Sequence, residues 1–109
     1  MNGSEYLART SIAIGANCRL GPKCVIMDAD FHGVAPEQRD TPGETKPIVI
    51  EDDVWFGSEV MVLKGVHIGR DAVVGARCVV AKDVPAGAIV VGNPMKIVGT
   101  VYDRGVKSA

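Results

Sequence analysis

The stretch "IEDDVWFGSEVMVLKGVHIGRDAVVGARCVV", Ile50 to Val80, places an apolar residue at every sixth position. These are Ile50, Phe56, Val62, Ile68, Val74 and Val80, and the same frame upstream gives Ile14, Leu20 and Ile26. In a chain that is 47% hydrophobic, nine hits in nine places arise by chance about once in a thousand trials, before choice of frame. Other columns keep the beat. One place later stand Gly15, Gly21, Gly57, Gly69 and Gly75; four places later stand Cys18, Cys24, Val54, Val60, Val66, Ala72, Cys78 and Val84. A 3.6-residue period drifts against a beat of six, whereas the two-residue alternation of a strand stays in step with it. The pattern predicts an all-β solenoid in which each hexapeptide supplies one short parallel strand and the turn to the next. The aliphatic and small columns face inward, and the glycines are expected to relieve the turns. Cys18, Cys24 and Cys78 belong to the small column and read as packing residues; no CxxC spacing or histidine pair points to zinc or a disulfide framework.

Upstream the beat fails in "MDADFHGVAPEQRDTPGETKP", Met27 to Pro47. From about Phe31 to Pro47, Asp, Glu, Gln, Thr, Gly and Pro accumulate, the composition of a projecting surface loop. Pro36, followed by Glu37, Gln38 and Arg39, suits a single helical turn within it. A loop of this length in a compact solenoid usually carries function, and His32 stands at its root. Imidazole titrates near neutral pH, which suits a general base as well as a solvated loop histidine. His67 falls in an outward column and reads as a surface residue. Asp28, Asp30 and His32 alternate and would share one face of an extended segment. With only two histidines in the chain, one of them at the surface, no metal is expected. Trp55, the single tryptophan, also lies in an outward column, where a contact with a ligand or a neighbouring subunit is expected.

At 109 residues and 11.5 kDa the chain reads as one domain, 1–109, with the projecting loop at about 31–47 and a short C-terminal tail at about 99–109. The net charge of −1 gives no reason to expect nucleic acid or a membrane surface as partner. It conceals an asymmetry: residues 1–55 carry five Lys and Arg against nine Asp and Glu, residues 56–109 seven against four. An anionic ligand therefore favours the second half. No apolar run reaches the length of a membrane span, and "MNGSEYLART" lacks the features of a secretory signal, so the expectation is a soluble, cytoplasmic protein.

The segments "DADFH", "DDVWFGS" and "VVAKDVPAGAIVVGNPMKIV", within a stretch from about Ile12 to Val98, resemble the hexapeptide-repeat acyltransferases, in particular the galactoside, maltose and polysaccharide O-acetyltransferase branch. The resemblance implies a left-handed parallel β-helix with triangular coils, a hand opposite to the usual crossover preference. It implies acetyl-CoA as acyl donor and His32 as the general base, with Asp30, Arg39 and Trp55 beside the active site or at its interface. Lys82 and Lys96 match the places that bind coenzyme A phosphates, although the second is often arginine in the family. Ser58 and Ala76 match places that touch the cofactor arm through backbone groups, and Ala81 one often held by threonine. A homotrimer with active sites between subunits is implied as well. The expected activity is acetyl transfer to a hydroxyl of a sugar or similar small acceptor. The alternatives are a non-catalytic β-helical scaffold and acetylation of an amino sugar or antibiotic on the same fold.

Overall fold

The computed structural model describes residues 5–7, 11–28, 36–38 and 45–103. In chain order its strands are β1 (Glu5–Leu7), β2 (Ile12–Ile14), β3 (Arg19–Leu20), β4 (Val25–Met27), β5 (Ile48–Ile50), β6 (Trp55–Phe56), β7 (Met61–Val62), β8 (His67–Ile68), β9 (Val73–Val74), β10 (Val79–Val80), β11 (Ala88–Val91) and β12 (Lys96–Thr100). They form three sheets. The first runs β1-β4-β7-β10, the second β3-β6-β9-β11-β12 and the third β2-β5-β8, which Val84 extends through a bridge to Ile68. All pairings are parallel except the closing β11–β12 hairpin. Ile50 pairs with Ile68 and Phe56 with Val74, so one coil takes eighteen residues and visits each sheet once. The result is a left-handed parallel β-helix, as expected.

Two-residue alternation decides which side chains enter. Ile26, Ile50, Phe56, Val62, Ile68, Val74 and Val80 are at most 2% exposed, and the small column from Cys24 and Val54 to Cys78 and Val84 is buried beside them. Burial of each such aliphatic side chain favours folding by about 1.5–3 kcal/mol. Three members of the frame differ. Ile14, Leu20 and Cys18 are only partly buried, because the second and third sheets have no described strand beyond β3 and β2 to cover them.

The glycine column works differently from the expectation. Positive φ occurs at another place in the hexapeptide, at Asn17, Lys23, Asp53, Glu59, Gly65, Asp71 and Arg77, nearly all of them not glycine. That strain is offset by bonds between coils: the Asp53, Glu59 and Arg77 N–H groups donate to Ala16, Pro22 and Ser58 O, each at 2.9 Å. Gly57 is instead required for close approach, since a Cβ there would stand 2.7 Å from Ala76 N in the next coil.

The stretch at 99–109 continues the fold at its start. β12 extends through Thr100 into a 3₁₀ turn, Val101–Asp103, and the Tyr102 hydroxyl donates to Asp71 Oδ2 at 2.7 Å. The expected helical turn in the loop is a 3₁₀ turn at Pro36–Gln38. Among the described residues no helix is long and apolar enough to cross a membrane.

Candidate functional site

Two corners of the coil flank the first sheet. On one, the chain leaves β6 and β9 of the second sheet. Here Ser58 and Ala76 stand in successive coils: Ser58 O accepts from Arg77 N–H at 2.9 Å, and Gly57 leaves no gap below Ala76. One level further on, the hairpin continues the same edge. Val91 Cγ1 would be 3.0 Å from a Cβ at Gly75, and Lys96 pairs with Val91 across the hairpin. Ser58, Ala76 and Lys96 thus follow one another along the coil axis, with backbone at the surface and an ammonium group at the far end. Trp55 lies beside this edge on β6, 56% exposed, in register between Arg19 and Val73. Such a track suits an elongated ligand with an anionic end.

The second corner, between the first and third sheets, is where the loop departs. Lys46 N–H donates to Asp28 O at 2.8 Å and closes its base. Asp28 is fully buried, the one buried charged residue among those described. Ala81 and Lys82 follow β10 onto this corner and are exposed. Hence the residues predicted for the cofactor divide: Ser58, Ala76 and Lys96 on one edge of the first sheet, Ala81 and Lys82 on the other. His32, Asp30 and Arg39 lie outside the described residues; Glu37 is exposed in the 3₁₀ turn.

With this geometry the chain can be set beside known proteins. A family profile, bacterial transferase hexapeptide (six repeats), matches residues 47–82. Residues 47–82 are thus hexapeptide repeats of this type. The chain is 35% identical over 100 residues to a galactoside O-acetyltransferase of Lactococcus lactis, covering 91% of this chain and 48% of that one. Over 57 residues, 52% of this chain and 24% of the other, it is 46% identical to a 2,3,4,5-tetrahydropyridine-2,6-dicarboxylate N-acetyltransferase of Staphylococcus aureus. A solved galactoside acetyltransferase in complex with coenzyme A superposes with a TM-score of 0.87 at 30% identity, covering 93% of this chain and 50% of that one. The chain therefore spans about half the length of the galactoside enzymes it matches.

One cluster of the chain escaped sequence reasoning. His67 is exposed, as expected, but its Nε2 bonds Glu51 Oε2, its N–H donates to Asp83 Oδ1 at 2.9 Å, and Arg70 N–H donates to Glu51 Oε1 at 3.1 Å. The bonds from His67 and Arg70 hold the Glu51 carboxyl below the usual carboxylate range. Glu51, His67 and Asp83, together with Pro85 and Ala86, line an open groove of about 280 Å³ on the third sheet. The signal was present in the spacing: Glu51 and His67 are sixteen apart, two short of a full coil, and so meet diagonally on one face. The cysteines are unbridged thiols. Cys78 is fully buried and its pKa is pushed up by that burial, which suits packing rather than nucleophilic attack. Among the described residues no three metal-ligating side chains converge.

Proposed function

We propose that this chain is the β-helical part of an acetyltransferase that moves the acetyl group of acetyl-CoA to a hydroxyl of a sugar-like acceptor. The observation that carries the reading is the stacked edge of Ser58, Ala76 and Lys96, on a fold shared with an enzyme that holds coenzyme A. The pantetheine arm would run along the coil axis against the backbone at Ser58 and Ala76, its phosphates toward Lys96 and Lys82. His32 would take the proton of the acceptor hydroxyl as that oxygen attacks the thioester carbonyl. The tetrahedral oxyanion would accept a backbone N–H, and collapse would expel the coenzyme thiolate, which takes up a proton.

Two edges of one sheet cannot close on one ligand, so the site is completed by a second copy, and the assembly is a homotrimer. The outward residues between the corners, Val25, Met61 and Val79, form a half-buried apolar column suited to that contact. Sedimentation of the full chain reads the assembly directly, and a monomer at micromolar concentration overturns it. Turnover is read by thiol release from acetyl-CoA with galactosides, amino sugars and other amines as acceptors. His32→Ala is expected to lower turnover about a hundred- to ten-thousand-fold while coenzyme A binding persists. Lys82→Ala is expected to weaken coenzyme A binding about tenfold. Undiminished turnover in His32→Ala removes the mechanism, and a chain that binds no coenzyme A returns the reading to a scaffold.

A further inference from the structure

Lys23, Glu59 and Arg77 hold the same place on three successive coils, since Val25, Met61 and Val79, two residues after each, pair in register. That place is the corner between the second and first sheets. The three residues have φ of 62°, 59° and 62°, and all three are exposed. The left-handed conformation favours glycine, asparagine and aspartate. The corner between the third and second sheets follows that preference with Asn17, Asp53, Asp71 and Gly87. Backbone preference therefore did not select the long charged side chains of the other corner, and their reason lies in what the side chains meet.

Arg77 follows Ala76 on the edge proposed to carry the coenzyme arm, and its N–H donates to Ser58 O at 2.9 Å. Its side chain is 80% exposed and is held at one point, where Nε donates to Glu59 Oε1 at 3.4 Å. The terminal amino groups of the guanidinium have no partner among the described residues. An exposed pair of this length is weakly held, so the head is available to a stronger acceptor. One coil further on, the chain leaves Val91 into the turn at 92–95 and returns to Lys96, which pairs with Val91. Lys96 thus lies two strand spacings, about 10 Å, beyond Gly75, a gap that the long stems of Arg77 and Lys96 can close from its two sides. Lys96 is exposed and forms no ion pair among the described residues. Lys23, Arg77 and Lys96 outnumber Glu59 along this edge, which leaves it positive and draws anions to it.

We infer that Arg77, together with Lys96, grips a phosphate group of the coenzyme and sets the preference of the chain for phosphorylated over unphosphorylated pantetheine carriers. The inference rests on the function proposed above, which lays the coenzyme along Ser58 and Ala76. Lys96 offers a point charge, whereas the planar fork of Arg77 matches two oxygens of one phosphate at once. The 5′-pyrophosphate and the 3′-phosphate of the coenzyme share this chemistry.

Calorimetric titration of the full chain compares coenzyme A with dephospho-coenzyme A, which lacks the 3′-phosphate, and with pantetheine, which lacks every phosphate and is read by displacement of coenzyme A. Arg77→Gln is expected to weaken coenzyme A about tenfold or more and to leave pantetheine within about twofold. Arg77→Lys recovers part of the loss, because the charge returns without the fork. A loss that persists with dephospho-coenzyme A assigns the grip to the pyrophosphate, and a loss that vanishes assigns it to the 3′-phosphate. Arg70→Gln removes an exposed arginine at the corner between the third and second sheets and is expected to leave all three ligands within about twofold. Equal coenzyme A affinity in Arg77→Gln and the unaltered chain overturns the inference and leaves the acetyltransferase standing. A loss as large in Arg70→Gln, or as large with pantetheine, also overturns it, since the effect would then be one of net charge or of the arm. Coenzyme binding that depends on Arg77, with no thiol release from acetyl-CoA on any acceptor, upholds the inference and overturns the acetyltransferase. A chain that binds no coenzyme overturns both.

Discussion

The coil that begins at Ile12 and the coil that begins at Ile48 carry the same inward pattern in exact register, and they are buried to different depths. Ile12 pairs with Ile48, Ile14 with Ile50 and Leu20 with Phe56; the second member of each pair is at most 2% exposed, and the first is only partly buried. One side of the first coil behaves like the second coil. Ile26 is fully buried because β1 covers β4 on one side and β7 on the other. In a solenoid, burial is a property of the two neighbouring coils rather than of the residue.

The sharpest way to break this comparison is a charge in the column. Ile68→Asp, between Ile50 and Val84, places an unpaired carboxylate in a dry interior at several kcal/mol, a large part of a typical stability, and is expected to abolish the cooperative thermal transition. Ile14→Asp is expected to fold with a lowered Tm; equal damage at both positions would refute the two-neighbour account.

Next in size are truncations. Phe56→Ala is expected to cost about 3–5 kcal/mol in urea unfolding, and Leu20→Ala about 1–2 kcal/mol, since Leu20 is only partly buried to begin with. A smaller effect separates coil stacking from hairpin packing. Gly57→Ala meets Ala76 backbone at 2.7 Å and is expected to cost about 1–3 kcal/mol, whereas Gly75→Ala meets the Val91 side chain at 3.0 Å, which can turn aside, and costs less.

The smallest effect concerns the outer face, where the second coil places Glu51 and the first coil has Gly15 at the matching position. The Glu51 carboxyl is held below its usual pKa, so its contribution is present above the ordinary carboxylate range and is lost as pH falls through the lowered value. Glu51→Gln should therefore flatten the decline of Tm on acidification below about pH 4.5 and leave the neutral-pH Tm nearly unchanged. An unaltered acid slope would remove the linkage.

Which side chains face outward and which face inward was visible in the residues for the same reason that the fold was. A six-residue beat assigns each side chain to the inside or the outside, so Trp55 and His67 were placed outward and Cys24 and Cys78 inward before any coordinates. The break at Met27 to Pro47 marked the corner where the loop leaves, which the Lys46 to Asp28 bond closes. The role of the glycines was misread because a glycine signals either positive φ or close approach. The composition of a hexapeptide does not separate them; the distance to the next coil does.

The period of the chain by itself determined the strands, the inward columns and the single interruption, because alternation and turn chemistry act between residues a few places apart. Only the tertiary structure decided which inward residues are covered on both sides, that Glu51 reaches His67, and that the residues expected to meet the cofactor divide between two edges of one sheet. These relations join residues sixteen to thirty-six places apart, and they come into being only when coils stack at the spacing of hydrogen-bonded strands.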